Sequence, residues 1–418
     1  MRRSPGQRMV PLWWEEHRLS QLDRGLDRRR ALKLLATLGA AGAAAPVLSA
    51  CSSSTGTDKM VDEPPIRLGL LIPQSGVYKT IGDDLSNGFQ MFIKLNGNKL
   101  GGRGVDLVFA DEGETAESGK AAAAKLLKQD RVTALSGVVN SAVMNAIKDD
   151  VEGAQVPLVG SNASPTTLIG VKYIWRTSYV NDEPGRSLGA YVANRVCDGS
   201  VYLICADYQG GKDEITGFLN TFTPAGGKVE GQPLYTPFTA TNFAPFLAQI
   251  RNSNAKAVFC FYAGSSAVPF VKQYRDAGLT QELYAPGFLT EGAILKSQGD
   301  AAKGIYTSMN YSPDLDNAAN RTFASEYQKV YNLVPTTYAM ASYDAAAVLD
   351  KAITLAGPGL TSQTLNAAIG RIGSIDSPRG PWQFNQTRTP LQKWYLRQVR
   401  LDGAVLSNGV ISELVTLG

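Results

Sequence analysis

Histidine is nearly absent from this sequence, since the only one among 418 residues is His17. Beyond that position no imidazole can act as the base of a Ser-His or Cys-His nucleophile. The commonest protein ligand of metal ions is missing for the same reason. We therefore expect a protein that is not an enzyme and that carries no cofactor or metal.

Cysteine is scarce, and its spacing indicates no disulfide framework. The four residues are Cys51, Cys197, Cys205 and Cys260, and no C-x-x-C pair occurs among them. Cys205 and Cys260 lie in apolar runs typical of buried strands, so buried free thiols are their expected state.

A large excess of charge of one sign is also missing once the N-terminus is set apart. Of 41 Lys and Arg residues nine lie in residues 1–50, and of 37 Asp and Glu residues four do, which leaves 32 basic and 33 acidic residues. A nucleic-acid partner requires a basic face. We therefore expect no nucleic acid among the partners.

Residues 1–50 carry the pattern of an export signal. The motif DRRRALK at 27–33 matches a twin-arginine signal. A weakly apolar stretch over 34–47 follows, too short for a transmembrane helix. It ends in LSAC at 48–51, which resembles a bacterial lipobox, in which a peptidase cuts before the cysteine and the thiol is acylated. An amphipathic N-terminal helix is the alternative interpretation.

Residues 51–65 form a polar stretch rich in Ser and Thr that ends in Pro64 and Pro65. Such a composition cannot bury a core and is typical of a flexible tether. The N-terminus thus predicts an extracytoplasmic protein, exported by the twin-arginine route and anchored to the membrane as a lipoprotein through Cys51.

Apolar runs alternate with amphipathic stretches through the rest of the chain. This alternation predicts α/β architecture with parallel sheets covered by helices on both faces, and two successive runs predict two lobes. Strands are predicted at 66–72, 105–110, 132–137, 156–160, 173–176, 201–205, 229–235, 257–262 and 283–286. Helices are predicted at 121–127, 142–151, 214–222, 243–250 and 267–277, with another opened by Ser164 and Pro165.

The order and spacing of several short motifs resemble one family, the periplasmic solute-binding proteins of the branched-chain amino acid type. The matching pieces are IRLG at 66–69, NG at 96–97 with GGRG at 101–104, WRTS at 175–178, FVKQY at 270–274 with AGL at 277–279, ASYDA at 341–345, and SPRG at 377–380. The resemblance implies the type I periplasmic binding fold, in which two Rossmann-like lobes are joined by three crossings. It also implies a receptor that captures a small molecule for an ABC importer and has ABC permease subunits as partners.

By position in that family, the crossings fall near Val180, Asn310 and Thr389. Lobe 1 is then expected to span 66–180 plus 311–388, and lobe 2 to span 181–310 plus 389–418. A sensory receptor subunit with the same fold, feeding a signalling partner, is the alternative function.

The ligand of an open α/β sheet binds beyond the carboxyl ends of the strands, where helix N-termini present unpaired N–H groups. In lobe 1 this places Ser141 at one helix start and the segment Asn162, Ala163 and Ser164 at another, and both match family positions that grip the ligand. Plain helix capping is the other interpretation of both serines.

In lobe 2 the residues that follow strands are Tyr208 and Gln209, Tyr262 and Ser265, and Phe288. Their aromatic rings are expected to stack on a ligand, or alternatively to pack in the core. Hinged closure of this lobe would bury the ligand and signal the transporter.

The sequence departs from the amino acid binders of the family. The glutamate expected to pair the ligand's ammonium is Gly287 here, and Glu291 lies close but out of register; an aromatic pocket position is Ile81 and a tyrosine position is Gly210. A buried ammonium without a carboxylate would cost several kcal/mol. We therefore hypothesise a ligand without an α-amino group, such as an aromatic or aliphatic carboxylate or an amide, besides the amino acid that the family implies.

Two further patterns in the sequence favour neither a nucleotide site nor a metal site. Gly113 to Lys120 has one residue too many for a phosphate-binding loop, and Ala121 stands where Ser or Thr would coordinate magnesium. The acidic residues Asp111, Glu112 and Glu114 are more typical of a solvated loop than of a metal site.

Overall fold

The computed structural model describes residues 63–197 and 199–418. The predicted signal peptide, the acylation site Cys51 and nearly all of the predicted tether lie outside the described residues. Within the described residues, no helix combines the length and apolar character that crossing a membrane requires.

The first sheet has six strands in the order β2-β3-β1-β4-β5-β6. They are β1 (Ile66–Ile72), β2 (Lys99–Leu100), β3 (Arg103–Asp111), β4 (Ala134–Gly137), β5 (Leu158–Gly160) and β6 (Ile174–Arg176). All neighbours pair in parallel except β2 and β3. In β1 every residue but Arg67 is buried, because a central parallel strand has both faces covered and must be apolar throughout.

The second sheet has eight strands in the order β14-β13-β12-β11-β10-β7-β8, with β9 also paired to β7. They are β7 (Ser200–Ala206), β8 (Lys228–Val229), β9 (Leu234–Thr236), β10 (Ala257–Phe261), β11 (Glu282–Pro286), β12 (Tyr306–Met309), β13 (Gln392–Asp402) and β14 (Val405–Leu417). Strands β7 to β12 pair in parallel, and β13 and β14 are antiparallel additions.

Helices connect the strands and cover the sheets. They are α1 (Lys79–Leu95), α2 (Ala116–Ala124, continued by a π-helical segment Lys125–Gln129), α3 (Ser141–Ala154), α4 (Glu183–Val196), α5 (Gln209–Phe222), α6 (Ala244–Arg251), α7 (Ala267–Asp276), α8 (Ala293–Gln298), α9 (Ala318–Tyr331), α10 (Thr337–Ala356) and α11 (Ser362–Ile369). The predicted α/β architecture with two parallel-rich lobes is confirmed.

The chain passes between the two sheets three times, after β6, after β12 and before β13. A buried network ties these passages together. Asn310 donates through Nδ2 to the Ser178 carbonyl at 3.2 Å and to Gln392 Oε1 at 2.8 Å. The Arg379 guanidinium donates to the same two acceptors and pairs with Asp344 at 2.6 Å. The residues at which each lobe begins and ends stay a prediction.

Helices α4 and α5 pack against each other through glycine. A Cβ on Gly185 would lie 2.3 Å from the Glu214 carbonyl oxygen, and one on Gly217 would lie 2.0 Å from the Asp182 carbonyl oxygen. Contacts this short exclude any side chain at these two positions. The close approach brings the second and third turns of α5 against the start of α4, which follows the first passage between the lobes.

Two predicted elements are wrong. No helix begins at Ser164. The Ser164 N–H donates to Asn181 Oδ1, and the Thr166 hydroxyl donates to Asp213 of α5. Acceptors distant in the chain therefore take the place of helical hydrogen bonds. The strand predicted at 229–235 is divided into β8 and β9, since Gly231 adopts φ +64° and Pro233 has no N–H to donate.

The three described cysteines carry free thiols, as predicted for Cys205 and Cys260. Cys205 and Cys260 are buried on the neighbouring strands β7 and β10, and Cys197 is exposed. Burial raises the pKa of Cys205 to about 12, so this thiol remains protonated and unreactive.

Candidate functional site

A cavity lies between the two sheets, and residues that directly follow strands line it. This is the place that the open α/β topology favours for a ligand. The lining residues come from both lobes and the first passage between them: Tyr78, Ile81, Val139, Ser141, Asn162, Tyr179, Asn181, Tyr208, Gly210, Glu214, Phe261, Ala263, Phe288 and Tyr338.

Four of the nine predicted ligand-binding residues line this cavity. Ser141 and Asn162 do so from lobe 1, and Tyr208 and Phe288 do so from lobe 2. The structure thus brings together residues that lie up to 147 positions apart in the chain, as the numbers of Ser141 and Phe288 show. Their contact with a ligand stays a prediction.

The other five predicted residues do not line the cavity, and each has another role. Ala163 packs in the core under α3, and Ser164 donates its N–H to Asn181. Gln209 donates to Asp213 Oδ1 at 2.8 Å. The Tyr262 ring packs against Phe243 and Phe270. Ser265 donates its N–H to the Val77 carbonyl at 2.9 Å, which joins the two lobes.

One side of the cavity is built from aromatic rings. The ring centroid of Phe288 lies 5.3 Å from that of Tyr179 and 5.9 Å from those of Phe261 and Tyr338. The Tyr208 ring stacks on Phe261 at 6.1 Å. Such distances are those of favourable aromatic pairs, and a planar ligand could join the same stack.

The remaining lining is polar and centres on the start of α3. The carboxylate of Glu112 accepts the N–H groups of Val139 and Asn140 at 2.9 and 2.8 Å, and Ala142 donates to Asn140 Oδ1. The N–H of Ser141 has no acceptor among the described residues. A helix N-terminus with a free donor is a suitable site for an anionic group.

Amide side chains extend this polar region. Asn181 donates through Nδ2 to Ser141 Oγ at 2.8 Å and to Asp213 Oδ2 at 3.1 Å. Tyr179 donates its hydroxyl to Asn162 Oδ1 at 2.9 Å. The polar residues are therefore fixed in place before a ligand enters.

A carboxyl group also lines the cavity, which contradicts the expectation that none would be there. It belongs to Glu214 in the first turns of α5, whose Oε2 accepts the Gly185 N–H at 2.8 Å. Burial raises the pKa of Glu214 well above its usual range. Glu291, the nearest candidate by sequence, instead pairs with Arg397 at 2.8 Å and accepts the Thr337 N–H.

Several contacts hold the two lobes against each other around the cavity. Thr166 of lobe 1 donates its hydroxyl to Asp213 Oδ1 on α5 at 2.9 Å. Tyr78 donates its hydroxyl to that of Tyr208 at 2.8 Å. These bonds join opposite walls of the cleft, so the structure shows the closed arrangement of the lobes.

Sequence reasoning missed several lining residues. Tyr179 and Asn181 lie on the first passage between the lobes, and Tyr338 opens α10, a helix for which no site was predicted. Glu214 gave no signal, since an acid in an amphipathic helix is typical of a solvated face. The pair Gly210 and Gly211, just before Glu214 in the sequence, was the feature that could have indicated its burial. Glycine there allows the start of α5 to approach β7 closely.

Comparison with known proteins agrees with this geometry. A family profile described as periplasmic binding protein matches residues 65–404. Leu/Ile/Val-binding protein homolog 6 of Brucella melitensis is 28% identical over 344 residues, which cover 80% of this chain and 87% of the relative.

Two solved structures of ABC transporter solute-binding proteins from R. palustris share the fold. One, in complex with benzoate, has a TM-score of 0.79 and 29% identity over 84% of this chain and 97% of that chain. Another, in complex with 4-hydroxybenzoate, has a TM-score of 0.78 and 29% identity over 84% and 96% of the two chains. Because the profile spans most of the sequence and the solved folds agree, the chain belongs to the periplasmic binding protein family, with the type I fold of ABC transporter solute-binding proteins.

Proposed function

We propose that this protein captures an aromatic carboxylate of the benzoate class for an ABC importer. The observation that carries the proposal is the composition of the cavity lining, in which six side chains are aromatic: Tyr78, Tyr179, Tyr208, Phe261, Phe288 and Tyr338. Stacked and edge-on contacts with a planar ring are worth about 0.5–1.5 kcal/mol per pair beyond the area they bury.

The ligand's carboxylate would bind at the start of α3. The Ser141 N–H and hydroxyl supply donors there, with the hydroxyl oxygen held by Asn181, and the lining residues include no Lys or Arg in the described part of the chain. A helix N-terminus can hold a carboxylate without a cationic side chain. The ring would then lie against Phe288 and its aromatic neighbours.

The two R. palustris relatives were solved with benzoate and 4-hydroxybenzoate, which supports the same ligand class here. Closure of the lobes over the ligand would present both lobe surfaces to the permease subunits. We further propose that the protein is exported by the twin-arginine route and anchored through acylated Cys51, on the basis of the N-terminal motifs.

A branched-chain amino acid is the second candidate ligand, and one observation favours it. An ionised Glu214 carboxylate in the cavity could pair with an α-ammonium group, and the Brucella melitensis relative is named for Leu, Ile and Val binding. The raised pKa of Glu214 in the protein without ligand adds a cost to this pairing, because the carboxyl group would have to lose its proton on binding.

The two candidates are separated by melting temperatures measured with benzoate, 4-hydroxybenzoate, leucine and isoleucine. A ligand at 100 times its Kd stabilises the folded state by about 2.7 kcal/mol, so we expect the two aromatic acids alone to raise the melting temperature. Phe288→Ala should abolish that rise, whereas Phe109→Ala, at a 41% exposed ring on β3, should keep it. A rise with leucine and none with benzoate would overturn the proposal.

A further inference from the structure

Glu214 is the one lining residue, within the described part of the chain, that carries a carboxyl group. The residue is 2% exposed, so its charge cannot be solvated by bulk water. A carboxyl group in such a position must be neutral or paired. Its state therefore determines which ligands the cavity accepts.

The two carboxyl oxygens of Glu214 differ in their hydrogen bonding. Oε2 accepts the Gly185 N–H at 2.8 Å, across the glycine contact between α4 and α5. Oε1 has no hydrogen-bond partner among the described residues and is not fully enclosed by them. The fixed Oε2 orients the group, and Oε1 remains for a ligand atom.

The charged groups around Glu214 are mostly acids. Asp213 precedes it on α5, and Asp182 and Glu183 approach from the start of α4, and all three raise its pKa after burial itself, which is the largest cause. Two of these acids pair with Arg186, which lies 3.7 Å from Asp182 and 3.9 Å from Glu183. This acidic environment favours the protonated form of Glu214.

Resting on the proposed function, we infer that Glu214 is a specificity residue that binds the ligand's carboxylate as a neutral acid, donating the proton on Oε1. Ser141, Asn181 and Glu214 line the same cavity, and Asn181 bonds both to Ser141 at the start of α3 and to Asp213, the residue before Glu214. A protonated acid can donate to a carboxylate and cannot neutralise an ammonium group. The same residue thus selects simple carboxylates over amino acids.

This role makes ligand binding depend on pH in a defined direction. Below the pKa of Glu214 the proton is present before and after binding, and affinity is constant. Above it the free protein must take up a proton to bind, so affinity falls by about tenfold per pH unit and proton uptake approaches one per ligand. Because burial raises the pKa of Glu214 above its usual range, the change is sought between about pH 6 and pH 10.

The test is calorimetric titration of the protein with benzoate and, separately, with leucine across that range, in paired buffers of different ionisation enthalpy. We expect the wild type to take up a proton with benzoate at high pH. Glu214→Gln, whose amide donates at every pH, should take up none and bind benzoate with a flat profile. The matched control is Glu117→Gln, which removes the same carboxyl group from an exposed position on α2 and should follow the wild type.

The outcomes separate this inference from the proposed function. Benzoate binding without proton uptake, with parallel profiles for wild type and Glu214→Gln, would overturn the inference and leave the function standing. Binding of leucine in place of benzoate, lost in Glu214→Gln, would overturn both, because Glu214 would then be an ionised partner of an ammonium group. Absence of proton uptake in the wild type would by itself overturn the inference, so the inference stays falsifiable even if the variant folds poorly.

Discussion

The hydroxyl group of Tyr78 donates to that of Tyr208 at 2.8 Å, and this bond joins opposite walls of the cleft. Both rings also line the cavity and pack against Phe238 at 5.3 and 5.1 Å. Burial raises the pKa of both phenols, so each keeps its proton and the bond persists at neutral pH. The contact between the lobes thus lies within the aromatic wall of the cavity.

Tyr208→Phe should weaken ligand binding without unfolding the protein. The change removes the acceptor of the Tyr78 hydroxyl, and a hydrogen bond of this kind contributes about 0.5–1.5 kcal/mol, or a two- to tenfold rise in Kd for benzoate. Calorimetric titration measures it. Tyr331→Phe is the matched control, because its hydroxyl bonds to the Asn87 carbonyl within lobe 1, and its Kd should not change. Equal affinities in all three proteins would refute the role of this contact.

Asp213→Ala should destabilise the closed arrangement of the lobes more than Tyr208→Phe does. Asp213 accepts hydrogen bonds from Thr166, Asn181 and Gln209, and bonds to a charged group contribute about 1.5–3 kcal/mol. We expect benzoate to dissociate at least tenfold faster, as stopped-flow experiments can measure. Asp149→Ala removes an exposed acid from α3 and serves as control. A dissociation rate equal to that of the control would show that Thr166 and Asp213 do not hold the lobes together.

The sequence was sufficient to predict the elements that burial dictates and insufficient for contacts between lobes. The apolar runs of β1 and β7 predicted parallel strands because a strand with both faces covered has only apolar residues. The helix predicted at Ser164 was wrong because Asn181 and Asp213, distant in the chain, compete for its backbone and side-chain donors. Glu214 was missed for the same reason, since its burial depends on glycine contacts between α4 and α5 that no local pattern reveals.

The stability of the protein should fall as pH rises through neutrality, partly because of Glu183. This residue is fully buried, and burial raises its pKa to about 7, against the opposing effect of Arg186. A raised pKa means that the folded state binds the proton more tightly, so the stabilisation is complete below about pH 4.3 and is lost as pH rises through about 7.

Glu183→Gln should therefore flatten this part of the pH profile. Each unit of pKa shift corresponds to about 1.4 kcal/mol, and urea midpoints between about pH 4 and pH 8 would measure the difference. Glu117→Gln, at an exposed position, should keep the wild-type slope. A Glu183→Gln profile that runs parallel to the wild type would contradict the assignment.

Arg379→Ala should destabilise the whole fold. Its guanidinium pairs with buried Asp344 and bonds to the first and third passages between the lobes, and removing one partner of a buried ion pair costs about 3–5 kcal/mol. Urea unfolding measures this loss. Arg321→Ala breaks an ion pair with Asp316 whose side chains are 64% and 93% exposed, and it should cost less than about 1 kcal/mol. Similar losses in the two variants would contradict the claim that the buried network of Asn310, Arg379 and Gln392 stabilises the fold.

The central claim is that an aromatic wall facing a helix N-terminus selects an aromatic carboxylate. Its most direct test is a competition titration in which the protein, saturated with benzoate, is challenged with leucine and with cyclohexanecarboxylate, which has the same acid group on a non-aromatic ring. We expect leucine to displace no benzoate, and cyclohexanecarboxylate to bind more weakly than benzoate. Full displacement of benzoate by equimolar leucine would contradict the claim.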